Sequence, residues 1–158
     1  PRELVGKALD LGVVNPFSPF LERAYPGLEI INTEPDADFD LDRLPYDDES
    51  FDYVFSFEVL EHLMNPLWNL LETKRVLKPE GRIILTTPKG IFPSKMWMDT
   101  HFHEIDSKRL EIRANRSQLK IVEMRTFNKT LSYWLRLGLL RPILRYFIGG
   151  WHYAEFQR

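Results

Sequence analysis

Short apolar runs alternate with amphipathic segments along most of this 158-residue chain. Compact runs rich in aliphatic, β-branched or aromatic residues are typical of strands that are buried on both faces. Six runs of this kind are candidate strands: GKALDLG, LEIINTE, FDYVFSFEVL, RIILTTP, QLKIVEMRTF and WHYAEFQR. Strands that alternate with helices predict an α/β fold, with a mainly parallel sheet and helices on both faces.

The helices between these runs have recognisable ends. SPFLERAY predicts a short helix that Pro26 and Gly27 terminate. The clearest helix begins at Asn65 as N-cap with Pro66 at its first position, because both residues suit an end whose amides have no partner. Another helix is expected near Asp106 to Asn115, and Pro142 is expected to divide a later apolar segment into two short helices.

The acidic stretch PDADFDLDRLPYDDES separates the second and third of these runs. Its prolines and charges indicate a connection with no room for a helix, and at most a short strand is expected around Phe39 to Leu41. Its alternating aspartates resemble a calcium loop. The sixth position is Leu41 instead of glycine and the twelfth is Asp47 instead of glutamate, so a solvated connection is the better interpretation.

Composition narrows the class of protein. The hydrophobic fraction of 44% predicts one domain over residues 1–158, and a net charge of -2 argues against a nucleic-acid binder. The absence of cysteine and of a secretory signal pattern favours a cytoplasmic location. Stable membrane insertion is not expected, because Arg136, Arg141 and Arg145 interrupt the longest apolar run. The pattern defines no oligomeric state.

Candidate chemistry lies where the first two strands end. In open parallel sheets, ligands bind at the carboxyl ends of strands near the point where strand order reverses. Asp10 and Gly12 follow the first predicted strand, and Glu34 follows the second. An acid at about this distance from a first βα turn can accept hydrogen bonds from both hydroxyls of a ribose.

Two later segments carry a specific resemblance. LPYDDESFDYVFSFEVLEHL and RVLKPEGRIILTTP resemble segments of the class I S-adenosylmethionine-dependent methyltransferases, in the branch that acts mostly on small molecules and lipids. The close match covers roughly a third of the chain. The resemblance implies a Rossmann-like fold with an antiparallel last strand, S-adenosylmethionine as cofactor, and a small-molecule or lipid-like substrate.

The resemblance also implies roles for the first strand ends. Asp10 and Gly12 match the start of the loop that approaches the methionine part of the cofactor, and Glu34 matches the ribose-binding acid. The second and third glycines of that loop are replaced here by Val14 and Pro16. Glycine permits a positive φ that valine and proline do not readily adopt, so the loop must follow another path and cofactor binding is expected to be weaker.

Four more residues complete the implied cofactor site. Asp40 and Leu41 match the positions where an acid and a backbone amide meet the adenine. Phe57 and Glu58 match the end of the strand that opens against the cofactor.

Three histidines are the candidate catalytic residues. His62 matches a histidine that borders the substrate side, while His101 and His103 follow the RIILTTP strand. Methyl transfer needs mainly positioning, and a base only for a protonated acceptor, so an oxygen acceptor is favoured. A structural role for His62, with its ring hydrogen-bonded at the start of a helix, is preferred over a catalytic role. No metal site is expected, because alternate residues of an extended loop point apart.

Two other functions compete with the enzyme. A methyltransferase-like domain that has lost catalysis and serves as a binding or scaffold module would explain the missing glycines. A nicotinamide-dependent oxidoreductase fits less well, because the downstream segments do not match that class.

The later aromatic and basic residues are expected to have structural roles. Trp97, Trp134, Phe147 and Trp151 are expected in the core more than in an acceptor pocket. The basic segment from Leu131 to Ile148 is expected to cover the core more than to touch a membrane surface.

Overall fold

A single mixed sheet forms the centre of the molecule. The computed structural model describes residues 3–12, 17–89, 100–103, 105–128 and 150–158. Within them the sheet has six strands in the order β2-β1-β3-β4-β6-β5. Their bounds are β1 Gly6–Asp10, β2 Leu28–Asn32, β3 Phe51–Phe57, β4 Leu77–Pro88, β5 Lys120–Asn128 and β6 Gly150–Gln157.

The strand directions confirm the expected fold class. Strand β1 pairs in parallel with β2 and β3, and β3 pairs in parallel with β4. Strand β6 is antiparallel to both of its neighbours, β4 and β5, so the last strand is the one that runs against the others. The chain leaves β1 toward β2 and then crosses back to β3, which places the switch point of strand order beside β1.

Helices cover both faces of the sheet, as expected. They are α1 Phe17–Ala24, α2 Pro66–Val76 and α3 Ser107–Arg116. Leu70 of α2 and Leu110 of α3 belong to the larger buried cluster on one face. Leu21 of α1 packs against the smaller cluster, which includes Ala8 and Phe55.

The predicted start of α2 is confirmed. The Asn65 side chain accepts a hydrogen bond from Trp68 N at 3.3 Å, and Pro66 occupies the first turn. The Asp40 carboxylate adds bonds from Met64 N at 3.0 Å and from Asn65 N at 2.6 Å. The acidic connection therefore helps to anchor the helix that follows it in the chain.

The acidic connection contains no helix, as expected, but the short strand around Phe39 to Leu41 was a wrong prediction. These residues form a turn. The Asp38 carboxylate accepts hydrogen bonds from Asp40 N at 2.8 Å and from Leu41 N at 3.1 Å. An aspartate that bonds the backbone two and three residues on closes a turn instead of leaving those amides to a neighbouring strand.

Arg75 fastens the end of this connection to α2. Its guanidinium donates to Leu44 O at 2.9 Å, to Tyr46 O at 2.8 Å and to the Asp48 carboxylate at 2.7 Å. It also bonds Glu72 at 2.8 Å, and Glu72 accepts a further bond from Leu44 N at 3.0 Å. The side chains of Arg75 and Glu72 are only 15% and 7% exposed, so this pair is largely shielded from water.

Several sequence predictions concern residues outside the described ranges: the loop with Gly90, Pro93, Trp97 and Met98, the helices around Pro142, and the basic segment from Leu131 to Ile148. Among the helices that the structure does describe, none is long and apolar enough to cross a membrane.

Removal of Arg75 is expected to destabilise the protein. In Arg75→Ala, the buried Glu72 carboxylate and the carbonyls of Leu44 and Tyr46 lose their donor, so the free energy of unfolding should fall by about 2 to 4 kcal/mol. Urea denaturation measures this loss. Lys108→Ala is the control, because the exposed Lys108–Glu111 pair should contribute less than about 0.5 kcal/mol. Equal effects of the two substitutions would contradict the anchoring role of Arg75.

The same pair predicts a dependence on pH. Burial raises the pKa of Glu72, but the hydrogen bonds from Arg75 and from Leu44 N outweigh it and hold the pKa below 4.5. A lowered folded-state pKa gives stability that is present above pH 4.5 and is lost as the pH falls through the folded-state value. The difference in unfolding free energy between wild type and Arg75→Ala should therefore narrow in acid. A constant difference in denaturation curves from pH 7 to pH 3 would contradict this.

Candidate active site

The carboxyl ends of the parallel strands form one polar edge. Gly12 lies just beyond β1, Thr33 and Glu34 follow β2, and Glu58 follows β3. Because β1 lies between β2 and β3, these three strand ends are neighbours. The edge beside the switch point is therefore where the predicted site residues gather.

Asp10 is a buried anchor of this edge. It is 2% exposed, and its carboxylate accepts bonds from Ser18 Oγ at 2.8 Å and from Asn32 Nδ2 at 3.2 Å. Ser18 belongs to α1 and Asn32 to β2, so one carboxylate joins three elements. Asp10 thus positions the turn that follows β1, which is consistent with its predicted place in the cofactor loop.

Gly12 has a backbone conformation that favours glycine. Its φ is +149°, and an added Cβ would meet no atom within 4 Å, so conformation and not crowding disfavours a side chain here. Its amide donates to Thr33 Oγ1 at 2.9 Å. The beginning of the loop is therefore fixed on the end of β2, while Val14 and Pro16 lie outside the described residues.

Glu34 is the most available acid of the predicted cofactor site. Its side chain is exposed, and among the described residues its carboxylate makes no hydrogen bond or ion pair. Tyr46 lies near it: burial raises the pKa of Tyr46, and the charge of Glu34 raises it further. Because the Glu34 carboxylate is exposed and has no partner among the described residues, it can accept hydrogen bonds from a diol.

Asp40 and Leu41 have partners inside the protein. The Asp40 carboxylate bonds the amides of Met64 and Asn65, and the Leu41 amide bonds Asp38. Both groups that the resemblance assigns to adenine, the Asp40 carboxylate and the Leu41 amide, therefore already form hydrogen bonds within the protein. The Leu41 side chain is 78% exposed, so it is the part of this pair that is open to a ligand.

Phe57 and Glu58 end β3 on the side of α1. The Phe57 ring packs edge-on against Phe17, with centroids 5.1 Å apart. Glu58 has a φ of +56°, and its amide donates to Thr86 O at 3.0 Å. The Glu58 carboxylate accepts a bond from Trp151 Nε1 at 3.1 Å, so it is held between β4 and β6.

A mainly apolar cavity of about 640 Å³ adjoins this strand end. Phe17, Phe57, Thr86 and Trp151 contribute to its wall, and Glu58 is the charged residue among its described lining residues. The volume falls in the range of small-ligand sites. Trp151 lines this cavity and is 37% exposed, so its predicted place in the core was wrong. The other aromatics assigned to the core, Trp97, Trp134 and Phe147, lie outside the described residues.

Glu61 is a buried acid that the sequence analysis missed. It is 0% exposed and lies in a short 3-10 helix, Leu60–His62, directly after β3. Its Oε2 accepts a bond from Thr87 Oγ1 at 3.2 Å, while Oε1 has no partner among the described residues. Burial raises the pKa of Glu61 to about 7. The one signal in the sequence was its spacing, three residues after Glu58 in EVLEHL.

Two of the three candidate histidines lie together. The rings of His62 and His101 meet edge to face, with centroids 4.8 Å apart. His62 Nδ1 donates to Thr100 O at 2.9 Å, because a carbonyl oxygen can only accept. Burial lowers the pKa of His101, and the neighbouring His62 lowers it further. His103 is separate, since its Nε2 donates to Met64 O at 3.2 Å.

The strand order, the antiparallel last strand and the polar carboxyl edge define the class I, Rossmann-like methyltransferase fold. The sequence model of the methyltransferase domain family matches residues 21–85 of this chain. This match agrees with the resemblance seen in the sequence, and the chain has the fold of the class I methyltransferases.

One curated relative matches a short stretch. A Schizosaccharomyces pombe protein described as an uncharacterized methyltransferase is 46% identical over 41 residues, which are 26% of this chain. The matched stretch spans only 15% of that relative's length.

Solved structures match over almost the whole chain at low identity. A candidate methyltransferase of Bacillus halodurans has a TM-score of 0.73 at 12% identity and covers 97% of this chain and 92% of its own. The phosphoethanolamine N-methyltransferase 2 of Haemonchus contortus, bound to S-adenosylmethionine, has a TM-score of 0.74 at 14% identity. That match covers 100% of this chain and 50% of the nematode protein. At such identities, the similarity shows the fold.

Asp10→Ala is expected to lower stability. The substitution leaves the Ser18 hydroxyl, which is 4% exposed, and the Asn32 amide without their shared acceptor. The free energy of unfolding should fall by about 1 to 3 kcal/mol. Urea denaturation measures it, with Asp36→Ala, a change of an exposed aspartate in the acidic connection, as the control. An unchanged unfolding curve for Asp10→Ala would show that Asp10 is not an anchor.

Proposed function

We propose that this chain binds S-adenosylmethionine at the carboxyl ends of β1, β2 and β3. The methyl group is then transferred to a small-molecule or lipid-like acceptor, with a hydroxyl oxygen favoured. The observation that carries the proposal is the pairing of an exposed, unengaged Glu34 with a turn at Asp10 and Gly12 that is fixed on the same strand end.

The residues present fit this cofactor. Glu34 offers a free carboxylate to the two ribose hydroxyls, and Gly12 offers backbone with open space around its Cα. Leu41 offers an exposed apolar surface for a flat base. The cofactor supplies an electrophilic methyl group on a sulfonium, and the protein has to position the acceptor in line with it.

The acceptor side combines apolar walls with a few polar groups. The cavity beside Glu58 suits a molecule with an apolar body, and the Glu58 carboxylate can orient a polar group at its mouth. His62, which follows β3, and His101, which follows β4, have rings in contact and are the candidate bases for a hydroxyl acceptor. His103 stays a sequence prediction, because its ring is turned to Met64.

A second candidate is a domain that binds a partner and does not transfer methyl groups. The feature that favours it is the replacement of two loop glycines by Val14 and Pro16. Such a domain would not bind the cofactor, so a binding measurement separates the two candidates.

Calorimetric titration of the purified chain with S-adenosylmethionine and S-adenosylhomocysteine tests the proposal, with NAD as the control. We expect saturable binding of the first two ligands at micromolar concentrations and none of NAD. No binding of either ligand up to millimolar concentration would overturn the enzyme and favour the scaffold.

Glu34→Ala tests the predicted ribose contact. Loss of charge-assisted hydrogen bonds should weaken the binding of S-adenosylmethionine by about 1 to 3 kcal/mol, with no change in unfolding free energy. Glu29→Ala, which removes an exposed acid of the strand that precedes Glu34, should bind like wild type. Equal affinity of the two variants would remove Glu34 from the site.

A comparison of acceptor molecules tests the preference for an oxygen as the atom that receives the methyl group. With labelled S-adenosylmethionine, we expect transfer to small phenols or alcohols in preference to amines of the same skeleton. Transfer to the amines alone would contradict the choice of acceptor atom and leave the cofactor assignment in place.

A further inference from the structure

Glu61, His62 and His101 form a cluster that the sequence analysis did not anticipate. One possible ligand atom from each side chain lies within 4.8 Å of the other two. The sequence analysis paired His101 with His103 and expected no metal site, because alternate residues of a loop diverge. The fold instead brings His101 to the 3-10 helix after β3.

We propose that Glu61, His62 and His101 bind a divalent first-row transition-metal ion. The site itself is independent of the proposed function, whereas its role in holding an acceptor rests on it. Glu58 adds negative charge nearby, since its field raises the pKa values of both Glu61 and His101.

The buried carboxylate provides the first argument. Glu61 Oε1 is buried without a partner, and a buried polar atom without one is costly. Protonation removes the charge but adds no donor for Oε1, which has no hydrogen-bond partner among the described residues. A cation at Oε1 satisfies the lone pairs and compensates the charge together.

The orientation of His62 provides the second argument. Its Nδ1–H donates to the Thr100 carbonyl, which leaves the lone pair of the neutral ring on Nε2. Metal-bound histidines almost always donate their other ring N–H to a carbonyl, a carboxylate or water, because this fixes the tautomer and the ring orientation. The bond to Thr100 therefore presets one imidazole for metal binding.

The backbone holds the third ligand in reach. Glu61 O accepts hydrogen bonds from Phe102 N at 2.8 Å and from His103 N at 3.2 Å. These bonds fasten the segment around His101 to the residue that carries the carboxylate. In a tetrahedral site with bonds near 2.0–2.2 Å, ligand atoms are about 3.3 to 3.5 Å apart, so the rings must move inward by about an ångström. His62 is exposed and His101 is half-buried, which leaves both rings room to turn.

The donor set favours transition metals over Mg²⁺ or Ca²⁺. Two imidazole nitrogens and one carboxylate oxygen suit Zn²⁺, Mn²⁺, Fe²⁺ or Co²⁺, whereas the hard cations prefer oxygen ligands. Three protein ligands leave at least one position open, as in catalytic metal sites. Under the proposed function, a metal held by these three residues would lower the pKa of a hydroxyl acceptor, which would give its proton to solvent before its oxygen takes the methyl group from the sulfonium. His62 and His101 then act as ligands and not as bases.

The test is metal binding by the purified chain after treatment with a chelator. Titration with Zn²⁺ or Mn²⁺ should show one ion per chain, and Co²⁺ should give a visible absorption band. Glu61→Gln and His101→Asn should each weaken binding at least tenfold. His103→Asn is the matched control, because it changes a histidine of the same segment whose ring faces Met64, and it should bind like wild type.

Three outcomes would overturn the site: no stoichiometric binding, equal binding by wild type and His101→Asn, or an equal loss in His103→Asn. His101 is half-buried, so its variant answers the question even if Glu61→Gln does not fold. Titration of the same proteins with S-adenosylmethionine separates the two proposals. Metal binding without cofactor binding retains the site and removes the methyltransferase function, and the reverse result retains the function and removes the site.

Discussion

Strands β1 and β3 lie side by side and run in the same direction, although β2 comes between them in the chain. Parallel pairing puts the turns after all three strands at one edge, where backbone and side-chain polar groups must be satisfied without a further strand to bond. Asp10 meets this need for the first turn through Ser18 and Asn32. The same pairing puts Glu58 on the far side of that turn, so the positions of Asp10, Gly12, Glu34 and Glu58 follow from the order of three strands.

The connection between β2 and β3 shows what a chain does without a helix in that position. Its residues do not pair with a neighbouring strand, so their hydrogen-bond partners lie in α2 and just before it. Arg75 donates to two carbonyls of the connection, and the Asp40 carboxylate accepts bonds from two amides that precede the helix. These bonds explain why Asp40 is not available as a free acid. Glu34 lies before the anchored part and keeps its carboxylate unengaged, so the ribose end of the predicted site is more open than the adenine end.

Local signals in the sequence were enough for the strands and for the start of α2, because apolar periodicity and the pair Asn65 and Pro66 act over a few residues. The turn at Asp38 was missed since its side-chain bonds compete with strand pairing over the same short range. The cluster of Glu61 with His62 and His101 could not be predicted this way. It depends on hydrogen bonds that Glu61 O accepts from the amides of Phe102 and His103, and no local periodicity in the sequence indicates a contact between residues so far apart in the chain.

The acids at this edge are held in different ways, and electrostatics gives a reason. In a site for a sulfonium donor, positive charge disperses as the methyl group leaves, so a free carboxylate beside the sulfur stabilises the ground state more than the transition state. Asp10 and Glu58 are engaged by neutral donors, which reduces this penalty. Glu34 keeps an unengaged carboxylate at the predicted ribose position, where the charge does not change during the reaction. Glu61 alone among these acids has a buried oxygen without a partner in the described part of the chain. A metal ion bound to this oxygen would compensate the free-energy cost of the buried charge and could also bind the acceptor.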